Sequence, residues 1–283
     1  MTSLRSVVSA GLLAALLAPL LPQAAGAVVN GEVSRDPRGL RGSVVRIESS
    51  LGELCSGSLI GPDLVLTAAH CVMRRAAYAV VVTDKAFRQR RVRAVAASMH
   101  PDFVPGTTPE DQPGIDLAIL KLSERLGADY APLDPRATGR VRPGDAVDIA
   151  GYGVVAENRR GSARTLRQAR LVAVGDLQVA NRVLMVADQR SMAERAGAGA
   201  CLGDSGGPIL AGGPGGYQLL GVVSWSSGAL RQNPRARTAC GGFTAGTPLA
   251  EHTGWIASRT SDLGRLSPDE VVPAQSRADW SSR

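Results

Sequence analysis

The chain of 283 residues has 32 basic and 25 acidic side chains, is 44% hydrophobic and 4% aromatic, and has a mean hydropathy of +0.02. These proportions are typical of a globular protein and exclude a disordered, collagenous or multi-span membrane chain. The net charge of +7 favours anionic surfaces, but the densest basic stretch, residues 85–93, lacks the motif context of a nucleic-acid reader. We therefore expect an exposed strand there and no nucleic-acid partner.

The N-terminal segment has the pattern of a secretory signal peptide. After one early arginine, an apolar run occupies residues 7–21, which is shorter than the roughly 20 residues that a membrane-spanning helix needs. Ala25 and Ala27 fit the −3 and −1 positions of an A-x-A cleavage site. We predict a signal peptide over residues 1–27, a mature chain that starts at Val28 without a membrane span, and secretion to the periplasm or the cell exterior.

Export would make the four cysteines candidates for disulfide bonds, because oxidising compartments let such bonds persist. Four cysteines allow three connectivities, among which the local pairs are Cys55–Cys71 and Cys201–Cys240. A Gly-Pro-Asp turn at residues 61–63 separates two apolar runs flanked by the first pair, so a hairpin would bring these two sulfurs together. No C-x-x-C or clustered His/Cys spacing is present, and we expect no metal site.

Short runs rich in Val, Ile and Leu recur along the mature chain between clusters of turn residues. Such a series, without helical repeats between its members, predicts an all-β barrel or sandwich. Residues 249–258 form the one convincing helical stretch, and we expect the polar segment 259–283 to be a mobile tail. The predicted strands are 43–49, 58–60, 64–69, 78–83, 117–122, 146–152, 171–174, 183–187 and 217–225.

Three segments carry residue types suited to nucleophilic catalysis. A serine hydroxyl is a weak nucleophile at neutral pH and needs a base, which in turn needs a group that fixes its tautomer. Ser205 lies in a glycine-dense loop, His70 lies at the end of a predicted strand, and Asp116 lies at the start of another. Glycines beside the serine would let backbone N–H groups face a developing oxyanion.

Other assignments of these residues are weaker. The serine loop also fits the G-x-S-x-G motif of α/β-hydrolases, which place an acid and then a histidine after the serine. Downstream of Ser205 the only histidine is His252, and its direct neighbour Glu251 is the only acid between them, so that order fails. Asp111 is a rival of Asp116 because it lies five residues upstream.

The motifs TAAHC (67–71), DLAIL (116–120) and GDSGGP (203–208), in that order, resemble those of the chymotrypsin-like (trypsin-fold) serine endopeptidases. The resemblance implies an all-β fold of two six-stranded antiparallel barrels, with the active site in the cleft between them and a helix at the C-terminus. It divides the mature chain into a protease domain at 28–258, with one barrel at about 28–135, a second at about 136–248, and the helix at about 249–258.

The resemblance also assigns roles within the motifs. Ser205 resembles the nucleophile, and His70 resembles the general base that later acts as an acid. Asp116 resembles the carboxylate that orients the histidine. The N–H groups of Gly203 and Ser205 are implied to form the oxyanion hole. No cofactor and no metal are implied, and the expected partners of the monomeric enzyme are protein or peptide substrates.

The sequence departs from the trypsin-like pattern at the implied specificity pocket. Gly199 stands six residues before Ser205, where trypsin-like members have an aspartate that pairs with a substrate Arg or Lys. Burying a cationic side chain without a partner is costly, so we expect a small or apolar residue before the scissile bond. The far wall of the pocket falls on either Thr244 or Gly246. The substrate-binding positions implied by the resemblance are Gly199, Ser224, Trp225 and Ser226.

The resemblance further implies how the enzyme becomes active. Val28 resembles the family's mature N-terminus, whose α-amino group pairs with the aspartate before the nucleophile, here Asp204. Because the predicted signal-peptidase cut falls directly before Val28, we expect export alone to generate the active enzyme.

Together these features predict a secreted serine endopeptidase of bacterial source that works through an acyl-enzyme intermediate. The alternative is a catalytically inactive family member that acts as a binding or adhesion module.

Overall fold

The computed structural model of the protein describes residues 28–35, 39–213, 216–233, 235 and 237–267. The predicted signal peptide and the end of the predicted tail, residues 268–283, lie outside the described residues.

Within this part of the chain, antiparallel strands dominate and one α-helix ends the fold. Single turns of 3-10 helix occur at Leu40–Gly42, Ala69–Cys71 and Arg160–Ser162. The strands and the helix, in chain order, are β1 (Glu32–Val33), β2 (Val44–Ser49), β3 (Leu54–Gly61), β4 (Leu64–Thr67), β5 (Tyr78–Thr83), β6 (Gln89–Met99), β7 (Ala118–Leu122), β8 (Ala146–Gly151), β9 (Arg167–Gln178), β10 (Arg182–Ala187), β11 (Pro208–Ala211), β12 (Gln218–Ser226), β13 (Thr244–Pro248) and α1 (Thr253–Arg265).

Six consecutive strands close the first barrel in the order β2-β3-β4-β7-β6-β5. Its interior is filled by branched apolar side chains such as Ile47, Leu59, Leu66 and Ile119, none of which is more than 1% exposed. Burial of each such side chain stabilises the fold by roughly 1.5–3 kcal/mol. The first barrel therefore has a dense apolar core of its own.

The second barrel consists of β8 to β13. The strands follow one another as β8-β9-β10-β13-β12-β11, and the pairing of β11 with β8 closes the ring. The two-barrel architecture with a C-terminal helix that the resemblance implied is therefore confirmed.

The N-terminal residues differ from the prediction in belonging to the second barrel rather than the first. Strand β1 pairs antiparallel with β9, and Val29 forms a bridge with Gly199. The Val28 side chain is fully buried within the apolar cluster of the second barrel. Burial of this valine explains why the first described residues pack on the second barrel before the chain crosses to β2 of the first barrel.

The C-terminal helix also differs from the prediction, which ended it at residue 258. Helix α1 spans Thr253–Arg265 and packs against β4 and β7 of the first barrel. Ile256 and Leu263 are two turns apart and are both buried in that barrel's core, which keeps the second half helical. Residues 259–265 are thus part of the helix and not of a mobile tail.

No helix of the described residues has the length and apolar character needed to cross a membrane.

Two disulfide bonds join the cysteines in the local pairing. Cys55–Cys71 ties strand β3 to the 3-10 turn after β4, and Cys201–Cys240 ties the loop before β11 to the loop before β13. In the chain-entropy model, closing a loop of 16 residues contributes about 3 kcal/mol. Each bond lies beside one of the loops that carry the candidate catalytic residues.

A buried ion pair links the first barrel's turn at Asp63 to strand β7. The Nζ of Lys121 donates a hydrogen bond to Asp63 Oδ2 at 2.8 Å, and both side chains are at most 5% exposed. The Leu122 N–H donates to the Asp63 carbonyl at 2.8 Å. Because both charges have left water, each depends on the other for compensation.

Replacing Lys121 by methionine should therefore lower the free energy of unfolding by about 3–5 kcal/mol, since Asp63 would lose its buried partner and keep only the largely exposed guanidinium of Arg125, 3.9 Å from its Oδ2. The double substitution Lys121→Met with Asp63→Leu should recover most of that loss. Lys85→Met is the matched control: its ammonium is largely exposed, and the effect should stay below about 1 kcal/mol. Urea denaturation followed by circular dichroism measures the free energy of unfolding of all three variants. Equal losses of this free energy for Lys121→Met and Lys85→Met would contradict a stabilising role of the buried Lys121–Asp63 pair.

Candidate active site

The three candidate catalytic residues come from both barrels. His70 lies in the 3-10 turn that follows β4, and Asp116 lies two residues before β7. Ser205 belongs to the second barrel, in the loop between Cys201 and β11. The carbonyl oxygen of Ser205 and the Nε2 of His70 each lie 3.7 Å from Cys71 Sγ, which places the imidazole beside the serine.

Asp116 is fully buried and accepts three hydrogen bonds. Its Oδ2 lies 2.8 Å from His70 Nδ1 and accepts the Ser224 hydroxyl at 2.6 Å. Its Oδ1 accepts the backbone N–H of His70 at 3.0 Å. A carboxylate at Nδ1 favours the tautomer that carries its proton there, which leaves Nε2 free to accept a proton.

Burial and charge act in opposite directions on this pair. Burial alone would lower the pKa of His70, but attraction to the Asp116 carboxylate and their hydrogen bond outweigh it and raise that pKa above its ordinary value. Burial alone would raise the pKa of Asp116, whereas His70 and the Ser224 hydroxyl lower it overall. The pair therefore stabilises an imidazolium that forms when His70 accepts a proton.

Ser224 contacts the site at two points. Besides its bond to Asp116, its carbonyl accepts the Ser205 hydroxyl at 3.4 Å. Within the described chain the Ser205 hydroxyl makes no hydrogen bond to His70. Its bond to the Ser224 carbonyl is long for an O–H···O hydrogen bond, so breaking this bond when the hydroxyl turns costs little free energy. The family resemblance implies a substrate-binding position for Ser224, and the sequence gives no sign of its contact with the Asp116 carboxylate.

The backbone N–H groups near Ser205 differ in whether they have an acceptor among the described residues. The N–H groups of Asp204, Gly206 and Gly207 donate to Cys201, Val223 and Asp204 carbonyls, respectively, at 2.7–3.0 Å. The N–H groups of Gly203 and Ser205 donate to no acceptor among the described residues. These two donors are available to a negatively charged oxygen.

Gly203 has a conformation that requires glycine. Its φ is +95°, and a Cβ there would lie 2.6 Å from Leu54 Cδ2 and 3.0 Å from Gly153 Cα. Any side chain would therefore displace the loop from strand β3 of the first barrel.

Asp204 lies below this loop with its carboxyl group fully buried. Its oxygens accept the N–H groups of Gly153 at 2.8 Å and Cys201 at 2.9 Å, and also that of Val28. Burial raises the pKa of Asp204 to about 7, against the effect of these three donors and of the Arg167 charge. The carboxyl group thus lacks a closely paired cation in the structure.

The N-terminal strand end reaches Asp204 through Val28. This valine is fully buried and has a φ of +53°, which is unfavourable for a β-branched residue. Its neighbour Val29 donates its N–H to the Gly199 carbonyl at 2.8 Å. The first described residues, Val28 and Val29, and the Ser205 loop therefore meet around one buried carboxyl group.

The strand register decides which residue stands at the wall of the implied pocket. Ser226 of β12 pairs with Thr244 of β13, and the fully buried Thr244 hydroxyl accepts the Ala200 N–H at 2.9 Å. A Cβ at Gly246 would lie 2.5 Å from Ile209 Cδ1, so the Ile209 side chain already fills the space beside that position. Thr244, and not Gly246, lies next to the pocket segment that contains Gly199.

The other candidate acids and histidines lie elsewhere. Asp111 is exposed and accepts a hydrogen bond from Thr108. His100 packs against His252, with ring centroids 5.3 Å apart, under helix α1. One group of potential metal ligands, Cys55, His70 and Cys71, has its atoms within 4.8 Å of one another, but both sulfurs form a disulfide and cannot supply thiolates.

Comparison with known proteins gives relatives that fit this geometry. The Trypsin family model matches residues 29–245. Mouse cathepsin G is 29% identical over 262 residues, covering 89% of this chain and 91% of its own length. Human cathepsin G is 34% identical over 212 residues, covering 69% of this chain and 78% of its own. These relatives are mammalian and give no support to the predicted bacterial source.

Solved structures show the same fold. Human heparin binding protein superposes with a TM-score of 0.61 at 22% identity, over 82% of this chain and 96% of its own. Neuropsin from mouse brain has a TM-score of 0.61 at 21% identity, over 82% of this chain and all of its own. The family match covers both barrels and all three candidate catalytic residues, and the chain accordingly belongs to the trypsin family of chymotrypsin-like serine proteases.

Proposed function

We propose that the protein is a secreted serine endopeptidase in which Ser205, His70 and Asp116 hydrolyse peptide bonds through an acyl-enzyme intermediate. The observation that carries the proposal is the buried hydrogen bond between His70 and Asp116 beside a serine whose loop has two unused N–H donors. Secretion is supported by the two disulfide bonds and by the signal-like pattern of the N-terminal sequence.

The proposed reaction starts when Ser205 Oγ turns from Ser224 toward His70. As Oγ attacks the scissile carbonyl, His70 Nε2 takes its proton, and Asp116 stabilises the resulting imidazolium. The carbonyl oxygen becomes an oxyanion that the N–H groups of Gly203 and Ser205 bind. Return of the proton from Nε2 to the leaving amine forms the acyl-enzyme, and a water molecule activated by the same nitrogen then hydrolyses it.

A purely binding role is the alternative, and a similar solved structure bears the name heparin binding protein. Two of the three arginines of β6, however, are already paired with acids: Arg90 contacts Glu124, and Arg91 lies 3.3 Å from Glu48. Paired exposed charges attract a polyanion less than free ones. The presence of all three catalytic side chains favours the peptidase.

Substitution of Ser205 by alanine tests the proposal. Turnover of peptide substrates should fall by about 10⁴- to 10⁶-fold, because no other group can form the acyl bond. Folding should be unchanged, and a serine-directed phosphonate should label the parent protein once and the variant not at all. Cleavage by the variant at a tenth of the parent rate would refute the assignment.

The pocket geometry supports a preference for small side chains before the scissile bond. Gly199 offers no charge to a cation, and Thr244 and Ser226 place two side chains where the opposing strands meet. A Cβ added at Gly199 would contact Gly241 Cα and Gly242 O at 3.3 Å, so the backbone walls are already close there. We therefore propose Ala or Val as the favoured residue.

Matched chromogenic peptides test this preference. The parent should show higher kcat/KM for Ala or Val than for Phe, and the lowest value for Arg, which would lose several kcal/mol as an unpaired buried charge. Thr244→Ala should enlarge the pocket and raise kcat/KM for Leu or Phe by about tenfold or more, while the value for Ala changes less. A parent that prefers Arg would overturn the pocket assignment.

Activation is proposed to follow from the cut before Val28. In the uncut chain Asp204 receives only a backbone N–H at this point, together with a weak effect of Arg167. A free α-ammonium group at Val28 would supply a charge partner in the same position and relieve the unfavourable φ of this residue. Asp204 would then stay ionised, and the loop that carries Ser205 would be fixed.

A protein with one extra residue before Val28 tests this step. With a backbone N–H at Val28, as in the uncut chain, we expect its Asp204 to keep the raised pKa of about 7, above the ordinary value of 3.8, so that the folded state retains a proton that the unfolded chain releases. Its free energy of unfolding should therefore fall as the pH rises from about 4 through 7. The processed protein should keep its stability until the α-ammonium group loses its proton, above pH ~8.

Urea denaturation should thus show that the difference in free energy of unfolding between the two proteins is larger at pH 8 than at pH 5. The extended protein should also have the lower peptidase activity. Asp204→Asn in both proteins is the control and should remove the widening. N-terminal sequencing of secreted protein should give Val28 as the first residue. Full activity in the extended protein, or a start well downstream of Val28, would exclude the mechanism.

A further inference from the structure

Ser56 is a fully buried serine of strand β3 that was not identified as functional by sequence analysis. All of its polar atoms are engaged. Its N–H donates to the Ser205 carbonyl at 2.8 Å, and its own carbonyl accepts the Thr67 hydroxyl at 2.9 Å. Its hydroxyl donates to the Gly203 carbonyl and accepts the Tyr152 N–H, each at 2.9 Å. Three of these bonds cross from the first barrel to the second.

The two carbonyls that Ser56 binds belong to the residues whose N–H groups are proposed to bind the oxyanion. Gly203 has no side chain, so its orientation depends on its peptide groups alone. Its N–H belongs to the peptide group shared with Leu202, and its carbonyl belongs to the peptide group shared with Asp204. The Ser56 hydroxyl fixes the second of these groups, and the N–H is positioned relative to it through the φ and ψ angles of Gly203. The Ser205 carbonyl is held in the same way by the Ser56 N–H.

The rest of the loop packs on the same residue. A Cβ at Gly206 would collide with the Ser56 carbonyl oxygen, and one at Gly207 would lie 3.3 Å from Ser56 Cβ. The glycines of the loop thus allow it to approach Ser56 closely enough for both hydrogen bonds.

We infer that Ser56 is a positioning residue for the oxyanion hole, whose hydroxyl holds the Gly203 carbonyl so that the Gly203 N–H faces the substrate carbonyl. This inference rests on the proposed peptidase function. Ser56 does not touch the substrate, and its effect passes through the backbone of Gly203. Loss of the hydroxyl should therefore weaken binding of the oxyanion more than binding of the substrate.

Strand β3 offers a matched control. Ser58 lies two residues further along, so its side chain points to the same face of the sheet, and it is equally buried. Its hydroxyl has no hydrogen-bond partner among the described residues. Ser58→Ala removes the same atom as Ser56→Ala without removing a bond to the loop.

The first measurement is steady-state hydrolysis of a peptide anilide by the processed protein. Phosphonate titration counts the active sites, so that a smaller fraction of folded protein is not mistaken for a lower kcat. Ser56→Ala should lower kcat by about tenfold, which corresponds to about 1.4 kcal/mol, and leave KM within about twofold. Ser58→Ala should stay within about twofold of the parent in both. Equal kcat values for the two variants would overturn the inference.

The second measurement does not depend on activity. In nitrogen-15 spectra of the assigned protein, the amide resonance of Gly203 should shift or broaden in Ser56→Ala and stay in place in Ser58→Ala. An unchanged Gly203 resonance in Ser56→Ala would refute the positioning role. A parent protein that cleaves no peptide would refute the proposed function instead, and the Gly203 resonance would still decide whether Ser56 holds the loop.

Discussion

The fully buried carboxyl group of Asp204 is the constraint on which the rest of the site depends. A carboxylate removed from water is tolerated only where donors or cations replace the lost hydration. Here the donors come from Val28, Gly153 and Cys201, which belong to three separate parts of the chain. Satisfying this one group therefore fixes Val28, the segment after β8 and the Ser205 loop relative to one another.

A second buried carboxylate, Asp116, shows how the surroundings separate two chemically identical groups. Asp116 has an ionisable partner in His70, and its pKa is lowered. Asp204 has only backbone donors in contact and a charge at Arg167 further away, and its pKa is raised. The first arrangement suits a group that must stay charged during proton transfer. The second suits a group whose charge state depends on whether a cation is delivered to it.

Local motifs allowed much of the site to be predicted from the sequence. His70, Asp116 and Ser205 each lie in a short, distinctive segment, and their meeting follows from the family resemblance. The bond between Ser56 and Gly203 joins residues 147 positions apart, and a serine in an apolar strand gives no local sign of such a contact. The second role of Ser224 depends in the same way on a contact across 108 positions with Asp116.

Strands β1, β11 and β13 are absent from the predicted strands, and β13 shows a different cause. Its sequence, Thr-Ala-Gly-Thr-Pro, consists of small residues and lacks the β-branched apolar run by which the predicted strands are recognised. Its place between β10 and β12 comes from backbone pairing and close packing, which composition does not reveal. The helix end was missed because Leu263 is an isolated apolar residue in the sequence, and only the first barrel's core explains its burial.

The two ends of the described chain are exchanged between the barrels. Strand β1, which precedes the first barrel, pairs with the second, and helix α1, which follows the second barrel, completes the core of the first. A chain divided in the connection between β7 and β8 would give two fragments, each of which carries a segment that belongs to the other's barrel. Each fragment would hold all six strands of one barrel but would lack the terminal segment that packs on that barrel, so we expect the two fragments to be more stable together than apart. The two barrels are thus held together by the two terminal segments of the described chain, each of which packs on the barrel that is distant in sequence.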